Sequence, residues 1–351
     1  MPATASRDRP PDKPHSTRRI AVVGATGAVG RELIRVLAQR GFPSSECALL
    51  ASARSSGQRI EGVHGPATVE ALTVEALEGV EIAFVSAGGS VSRDIAPLAA
   101  ARGTVIIDNS SAFRLSADVP LIVPEINADR IHEHKGIIAN PNCSTILMAM
   151  ALWPLHRVTR VRRVVAATYQ AASGAGARAL EELESQSRDV LAGKRPMPHV
   201  FPVPCAFNVF SHNSSLNDDG ANIEEAKMVA ETWKIFGDES IGIAVTCMRV
   251  PVMRAHMEAL AIEFDKPLTP PEAREILTNA PGIRVVDDRR ENRFPTSLDA
   301  DGGDDVLVGR IRRDPSVPDG RGLQLICTMD QLRKGAALNA VQIAELLIAE
   351  T

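Results

Sequence analysis

A cysteine lies where an extended segment should give way to a helix. Residues 140–145 read Asn-Pro-Asn-Cys-Ser-Thr, and the apolar run 146–153 that follows is too long for one strand and rich in helix formers. The pattern therefore predicts a helix, with Asn142 or Ser144 as its N-cap. Cys143 would lie at the positive end of the helix dipole, which favours a thiolate and lowers the thiol pKa. Taken alone, the hexapeptide fits either a nucleophile, which would need a histidine to assist it, or a buried structural cysteine.

The second half of the chain holds candidates for acid–base chemistry and anion binding. The β-like run 245–252 contains Arg249, a charge that is costly to bury without an anionic partner. His256 follows in a short turn before the next strand and is a candidate general base, although a lone histidine is commonly structural. Glu224 and Lys227 lie one turn apart at the start of a predicted helix, a spacing that by itself indicates a surface ion pair.

A glycine-rich loop near the start of the chain could bind phosphate. Residues 19–24 form an apolar strand pattern, and residues 31–40 form a helical pattern that Gly41 should end. The loop between them, residues 24–30, spaces its glycines as Gly-x-x-Gly-x-x-Gly instead of the commoner Gly-x-Gly-x-x-Gly. A glycine loop between a strand and a helix lets backbone amides approach a phosphate, so this segment predicts a dinucleotide pyrophosphate site.

The end of the second predicted strand indicates which dinucleotide binds. NAD-specific sites place Asp or Glu at this point, where the carboxylate accepts hydrogen bonds from the ribose. This chain instead has Arg54 among serines, at residues 52–56. A guanidinium flanked by hydroxyl groups suits the 2′-phosphate of NADP. The sequence therefore favours NADP over NAD, the alternative being that Arg54 is a solvated loop residue.

Predicted strands and helices alternate through the first half of the chain, which indicates a doubly wound parallel sheet. Ligands bind at the carboxyl ends of such strands, where the glycine loop, Arg54 and Cys143 all fall. We predict an α/β fold, with a Rossmann-type doubly wound parallel sheet and a second α+β catalytic and dimerisation domain. The expected divisions are a disordered tail at 1–17, an NADP-binding domain at 18–142 that a C-terminal helix at 331–351 completes, and the second domain at 143–330.

The composition argues against several classes of partner. A net charge of −4 without a basic run disfavours nucleic acid, and 3% aromatic residues leave few platforms for base stacking. No apolar stretch of 18 residues and no signal-peptide pattern occurs, so we expect no membrane partner and a cytoplasmic location. The five cysteines are scattered, which favours a reducing compartment over disulfides or zinc. His132 and His134 could bind a metal, but a solvated helix face fits them better, and we predict no metal.

Together these motifs resemble the aspartate-semialdehyde dehydrogenase family in its bacterial form. The matching segments are 24–30, 52–56, 86–92, 108–114, 140–145, 168–176, 224–227, 249–256 and 333–345. The resemblance implies NADPH-dependent reductive dephosphorylation of L-4-aspartyl phosphate to L-aspartate 4-semialdehyde and phosphate. It also implies a homodimer that serves lysine, threonine, methionine and diaminopimelate biosynthesis.

The resemblance assigns the chemistry to three residues. Cys143 attacks the acyl phosphate, expels phosphate and forms a thioester, which hydride from NADPH reduces to a thiohemiacetal that collapses to the aldehyde. His256 is the acid–base residue that activates the thiol and protonates intermediates. Gln170 orients the substrate. One departure from the family pattern lies beside the base, where Gly-His-Ser-Glu is replaced by Ala-His-Met-Glu at residues 255–258.

Binding roles follow from the same resemblance. Arg249 would bind the substrate α-carboxylate through its guanidinium fork, and Glu224 would bind the amino group. Arg114 and Lys227 would bind the phosphate. The residues implied to line the cofactor are Gly24, Thr26, Gly27, Ala28, Val29, Arg54, Ser55, Ser173, Gly174 and Asn339.

Two alternatives remain at this point. N-acetyl-glutamyl-phosphate reductase runs the same chemistry on a similar fold and would need a pocket for an acetyl group, whereas Glu224 with Arg249 suits a free amino acid. The chain could also be a non-catalytic NADP-binding regulatory relative. Such a protein should have lost the nucleophile or the base, and this sequence retains both Cys143 and His256.

Overall fold

The computed structural model describes residues 18–349, so the predicted tail at 1–17 lies outside the described residues. The strands are β1 (Arg18–Val23), β2 (Ser44–Ala51), β3 (Arg59–Gly62), β4 (Gly65–Thr68), β5 (Glu70–Ala71), β6 (Ile82–Val85), β7 (Val105–Asp108), β8 (Ile137–Ala139), β9 (Val161–Gln170), β10 (Phe210–Ser211), β11 (Gly242–Arg249), β12 (His256–Phe264), β13 (Ile283–Val285), β14 (Val306–Arg313) and β15 (Gly322–Met329). The α-helices are α1 (Ala28–Arg40), α2 (Gly89–Ala100), α3 (Pro124–Asn127), α4 (Cys143–His156), α5 (Ala177–Leu191), α6 (Ile223–Phe236), α7 (Pro270–Thr278), α8 (Ser297–Ala300) and α9 (Leu338–Ala349). A π-helical turn, Arg333–Ala337, leads into α9.

The first sheet is parallel throughout, with strand order β5-β2-β1-β6-β7-β8. Its central strands are short apolar runs that are buried on both faces, as β6 shows with four buried residues in a row. β2 lies on one side of β1, and β6, which follows later in the chain, lies on the other side of β1. The crevice between the carboxyl ends of β1 and β6 is the usual ligand site of a doubly wound sheet.

Helices cover both faces of this sheet. On one face, Leu33 and Leu37 of α1 share a hydrophobic core with Val341 and Ile343 of α9. On the other face, α2 contributes to a separate core with the outer sides of β1, β6 and β7. The end of the chain therefore packs against its beginning, because the apolar face of α9 fills the space beside α1.

The second sheet is mixed, with strand order β10-β11-β9-β12-β15-β14-β13. Residues along β12 alternate between buried and half-buried, which is the two-residue period of a strand with one face on the core. The register pairs Arg249, the last residue of β11, with Gln170, the last residue of β9. Since β9 and β11 run parallel, both side chains reach the same edge of the sheet.

The helix α4 lies inside the protein against the second sheet. Ten of its 14 residues are buried, and it packs against strands of the second sheet as well as α6 and α7. Apolar residues lie all around the axis of α4, because every face of the helix packs against other parts of the protein. The prediction of a helix for residues 146–153 is confirmed. Asn142 is the N-cap and accepts hydrogen bonds from the amides of Ser144 and Thr145, so the alternative cap, Ser144, is wrong.

Taken together, the parallel sheet and the second mixed sheet confirm the predicted fold class.

Candidate active site

One cavity of about 560 Å³ is lined by candidate functional residues from both sheets. Gly27, Ala28 and Val29 line one end, beside the carboxyl end of β1. Cys143 lies in the wall where α4 begins. The other members of the predicted catalytic, substrate and phosphate sites that also line the cavity are His256, Gln170, Arg249, Glu224, Arg114 and Lys227. Residues from distant parts of the chain therefore meet in one space.

Cys143 is the first residue of α4, as predicted, but its thiol is not a stable thiolate here. Burial raises its pKa to about 12, and the carboxylate of Glu224 adds to the rise. The guanidinium groups of Arg114 and Arg249 oppose this effect without overcoming it. The expectation that the helix dipole would lower the thiol pKa is therefore wrong, because desolvation outweighs a dipole effect of ~2 kcal/mol or less.

His256 begins β12, so its placement in a turn between strands is corrected. Its Nδ1 accepts a hydrogen bond from the amide of Ala171 at 3.1 Å. A backbone amide can only donate, so the neutral ring carries its proton on Nε2. That nitrogen is buried and has no hydrogen-bond partner within residues 18–349. Burial lowers the pKa of His256 well below its usual value, and the positive charge of Arg249 adds to the effect.

Glu224 is buried at the start of α6, and its carboxylate binds two side-chain amides. Asn142 donates to Oε1 at 2.9 Å and Gln170 donates to the same atom at 3.1 Å. Burial acts to raise the pKa of Glu224, but nearby positive charge and these hydrogen bonds outweigh it and leave the pKa below the usual value. Lys227 is 3.8 Å away and half-buried. The pair is therefore part of the cavity wall, and its interpretation as a surface ion pair is wrong.

Arg249 is buried, yet most of its guanidinium remains available to a ligand. Nη1 donates to the carbonyl of Ala171 at 2.9 Å, and Nη2 lies 2.7 Å from Nε2 of His212. The group lies over the ring of Phe201, 5.5 Å from its centroid. Nε is buried with no partner in the described part of the chain. Three of the five N–H groups are thus uncommitted, which suits a carboxylate.

Arg114 is held in place by three contacts at the edge of the cavity. Its Nε donates to the carbonyl of Asn140 at 2.9 Å and its Nη2 donates to that of Asn109 at 2.8 Å. Nη1 pairs with Glu231, which is fully buried, at 3.1 Å. The other oxygen of Glu231 accepts the amide of Asn142 at 2.6 Å. The guanidinium is thereby fixed beside the start of α4, with two N–H groups free for an anion.

The glycine loop fits the close packing that a dinucleotide site requires. Gly24 has a φ of 87°, and a Cβ there would lie 2.3 Å from the carbonyl oxygen of Ser86, at the end of β6. A Cβ on Gly30 would lie 2.1 Å from the carbonyl oxygen of Gly24. Within residues 18–349, no side chain caps α1 at Gly27. The first amides of the helix are therefore open to a phosphate.

Some residues assigned to the cofactor do not line this cavity within residues 18–349. Arg54 and Ser55 belong to a 3-10 turn after β2, and Arg54 is exposed there. Thr26 accepts a hydrogen bond from Arg31 on its carbonyl. Asn339 is fully buried and donates to Oδ1 of Asn140 at 2.7 Å. One contact of Asn339 is thus with the loop that carries the nucleophile, and its others are with the Ile122 carbonyl and with Lys334.

Comparison with known proteins agrees with this geometry. Residues 19–134 match the family model described as Semialdehyde dehydrogenase, NAD binding domain, and residues 152–334 match Semialdehyde dehydrogenase, dimerisation domain. The chain is 52% identical to aspartate-semialdehyde dehydrogenase of Synechocystis sp., over 94% of this chain and 97% of that protein. The chain belongs to the aspartate-semialdehyde dehydrogenase family.

Further members of the aspartate-semialdehyde dehydrogenase family show the same similarity. The protein of Prochlorococcus marinus is 48% identical, over 97% of this chain and 98% of its own. The crystal structure of aspartate semialdehyde dehydrogenase II from Vibrio cholerae, complexed with ASA, superimposes with a TM-score of 0.91 at 43% identity. The match covers 95% of this chain and 99% of that one. The predicted family, and with it the expectation of an enzyme of that family, is confirmed.

Two residues that contact this site were not predicted from sequence. Glu231 lies seven residues after Glu224, so both project from one face of α6, and that spacing could have revealed it. His212 lies in irregular chain after β10, where no periodicity points to it. Its contact with Arg249 depends on the pairing of β10 with β11.

The departure from the aspartate-semialdehyde dehydrogenase pattern at Ala255 has a structural cost. Ala255 is buried with a φ of 71°, a conformation that favours glycine. Its amide donates to Oε1 of Gln331 at 2.8 Å, and Nε2 of Gln331 donates to Ser173. The residue beside His256 is thus held in place by the segment before α9.

Among residues 18–349, no group of three or more His, Cys, Asp or Glu side chains is arranged to hold a metal ion. Within the same residues, no helix has the length and apolar character needed to cross a membrane.

Proposed function

We propose that this protein catalyses the NADPH-dependent reductive dephosphorylation of L-4-aspartyl phosphate to L-aspartate 4-semialdehyde and phosphate. The observation that carries the proposal is the shared cavity. A cysteine at a helix N-terminus, a buried histidine, a carboxylate and an arginine with free N–H groups all line it, next to an uncapped dinucleotide-binding helix. The relatives named aspartate-semialdehyde dehydrogenase support the same conclusion.

The proposed covalent step uses Cys143. Its sulfur attacks the acyl carbon, the bond from that carbon to the phosphate oxygen breaks, and a thioester remains. Arg114 and Lys227 would stabilise the negative charge of the departing phosphate. Because burial keeps the thiol protonated in the free enzyme, its proton has to leave as the carbon–sulfur bond forms.

His256 is the proposed proton-transfer partner. The Ala171 amide selects the neutral tautomer with a proton on Nε2. This N–H has no hydrogen-bond partner among the described residues, so it can donate to the acyl oxygen as negative charge develops there. To accept the thiol proton, the ring has to carry its own proton on Nδ1 instead, which gives up the bond from Ala171. We therefore propose that substrate binding changes the tautomer of His256.

The cofactor is proposed to be NADP. The amides at the start of α1 would hold the pyrophosphate, and the closely packed glycines of the loop fit that role. Arg54 and Ser55, at the carboxyl end of β2, are the residues available for a 2′-phosphate. Ser173 and Gly174 lie on the far side of the same cavity, and Asn339 would act through Asn140. When bound, NADPH supplies a hydride to the acyl carbon.

Charge in the substrate pocket favours an unmodified amino acid over an N-acetylated one. Glu224 offers a carboxylate whose pKa lies below its usual value, and such a group binds an ammonium. An N-acetyl group has no positive charge and could not form an ion pair with that carboxylate. Arg249 would bind the α-carboxylate. The ligand called ASA in the Vibrio cholerae enzyme supports this choice over N-acetyl-glutamyl-phosphate reductase.

The wider context is proposed from the same family. We infer a homodimer, which the dimerisation-domain match supports. Exposed apolar residues on β9, Val165 and Tyr169, fit a covered sheet face. The five cysteines form no disulfide, which supports a cytoplasmic location. The proposed role is lysine, threonine, methionine and diaminopimelate biosynthesis, with the domain divisions at 18–142, 143–330 and 331–351.

The decisive experiment is the reverse reaction. NADPH formation is followed by absorbance with L-aspartate 4-semialdehyde and phosphate, and N-acetyl-glutamate semialdehyde serves as the competing substrate. We expect turnover with the first and little with the second. Cys143→Ala should abolish turnover and retain NADPH binding. Residual activity of this variant within about tenfold of the parent, ~1.4 kcal/mol in barrier, would contradict the thioester, and a parent without turnover would favour the regulatory alternative.

A further inference from the structure

His212 reaches Arg249 from a short strand beside the cavity. β10 is two residues long and pairs antiparallel with the end of β11, where Phe210 lies opposite Arg249. The amide of His212 donates to the carbonyl of Cys247 at 2.8 Å and extends this pairing by one residue. Residues two apart on a strand share a face, so the register that places Phe210 opposite Arg249 also brings the imidazole to the guanidinium.

The direction of this contact is fixed by its chemistry. A guanidinium can only donate, so Nε2 of His212, 2.7 Å from Nη2 of Arg249, has to be the acceptor. The ring is therefore neutral with its proton on Nδ1, 3.1 Å from the hydroxyl of Ser214. In this tautomer Nδ1 cannot also accept a hydrogen bond from the amide of Ser214, which lies 3.3 Å away. The same hydroxyl accepts the amide of Glu224 at 3.2 Å.

His212 thus lies between the residues proposed to bind the two charged groups of the substrate. Its protonation would remove the acceptor and place a second positive charge against Arg249. Burial, followed by the charge of Arg249, lowers the pKa of His212 to about 4, while Glu224 and Glu225 act to raise it and Lys227 to lower it. The imidazole is consequently neutral, and an acceptor, at neutral pH.

We infer that His212 is a positioning residue that fixes the guanidinium of Arg249, so that its free N–H groups face the α-carboxylate of the substrate. This inference rests on the proposed function. Three neighbours define the plane of the guanidinium: the Ala171 carbonyl, the Phe201 ring and the His212 imidazole. Of these, only His212 holds Nη2. Without it, the guanidinium as a whole can turn about its side-chain bonds, and the carboxylate site is no longer preformed.

The test distinguishes the effect of losing the hydrogen-bond acceptor at His212 from the effect of changing the shape of the side chain. His212→Leu removes the acceptor, whereas His212→Gln can place an amide oxygen near the position of Nε2. His64→Ala is the matched control, because His64 is exposed on the β3–β4 turn. Initial rates are measured in the reverse assay as a function of L-aspartate 4-semialdehyde, phosphate and NADP separately. We expect His212→Leu to raise KM for the semialdehyde about tenfold or more, with KM for phosphate and NADP changed less than about threefold. His212→Gln should restore most of the loss.

Two results would overturn the inference. One is a His212→Leu variant whose KM for the semialdehyde stays within about threefold of the parent. The other is an equal loss in the Leu and Gln variants, or a rise in all three KM values together, since either would mean that the ring only fills space. A parent protein that is inactive with semialdehyde and phosphate would instead refute the proposed function, so the two failures are distinguishable.

Discussion

Gly174 lies directly against the imidazole of His256. A methyl group added to its Cα would come within 3.0 Å of both Cε1 and Nε2, and within 3.2 Å of Nη1 of Arg249. The absence of a side chain at this position therefore leaves room for the ring and for the guanidinium at once. Gly174 belongs to the short turn after β9 that forms one wall of the cavity.

Gly174→Ala should lower kcat by about tenfold to a hundredfold, because small displacements of catalytic groups have effects of that order. The thermal midpoint should change little, since Gly174 is exposed on its other side. Gly242→Ala is the control, because a Cβ there meets its nearest neighbour at 3.5 Å, an ordinary contact. Equal activity of the Gly174 variant and the parent would show that His256 has more freedom than this packing allows.

The pH dependence of alkylation should report the thiol of Cys143. Only the thiolate reacts, and a pKa of about 12 leaves that form a small minority at neutral pH. The rate of carbamidomethylation at Cys143 by iodoacetamide, followed by peptide mass spectrometry, should therefore rise about tenfold per pH unit from pH 7 to 10 in the free enzyme. A plateau near pH 7 would mean that the dipole and the arginines do overcome burial. The unmodified Cys143→Ser protein gives the background from the other cysteines.

The choice of dinucleotide should depend on Arg54. Arg54→Ala is expected to weaken NADP binding by about 1.5–3 kcal/mol, the usual size of a charged hydrogen bond, with little change for NAD. Calorimetric titration with both dinucleotides measures this directly. Arg59→Ala is the matched control, since Arg59 is also exposed and lies only a few residues away. If both dinucleotides lost affinity equally, Arg54 would not read the 2′-phosphate.

Glu258 should make the protein less stable as the pH rises. The side chain is fully buried, and neither carboxylate oxygen has a partner among the described residues. Burial raises its pKa well above the usual value, and Glu224 contributes. A raised folded-state pKa means that the folded protein binds the proton more tightly, so this stabilising contribution is present below pH ~4.3 and is lost as the pH rises.

Glu258→Gln replaces the protonated acid with a neutral group of the same shape. We expect it to raise the thermal midpoint at pH 8 by more than at pH 5, with a gain of about 1–3 kcal/mol at the higher pH. Glu263→Gln, on the same strand but half-buried, should show no such difference. An equal effect of Glu258→Gln at both pH values would mean that an unseen partner already neutralises the carboxylate.

The sequence was informative where local rules act alone. The glycine loop and the start of α4 depend on neighbouring residues and were predictable, although the cap of α4 stayed open between Asn142 and Ser144. The thiol pKa was not, because the dipole is a local property while desolvation depends on everything packed around Cys143. His212 could not be found for a related reason, since its contact with Arg249 requires the pairing of two strands that are more than 30 residues apart.

The C-terminal segment shows a similar limit. The sequence predicted one C-terminal helix at 331–351, whereas the structure has a π-helical turn followed by α9. Lys334 in that turn is fully buried, and its ammonium binds Glu125, Asn339 and Gln342. The widened turn accommodates a buried charge whose ionic partner, Glu125, comes from a distant part of the chain, which periodicity cannot reveal.

The packing of α9 against α1 has a consequence for the order in which the protein is made. Domains commonly fold from the N-terminus while the chain is still being synthesised. Here the hydrophobic core beneath α1 is completed by Val341 and Ile343, so it stays open until translation has nearly ended. The nascent dinucleotide-binding unit therefore exposes apolar surface throughout synthesis of the second domain. The ribosome-bound chain is accordingly the stage at which this enzyme should depend most on chaperones.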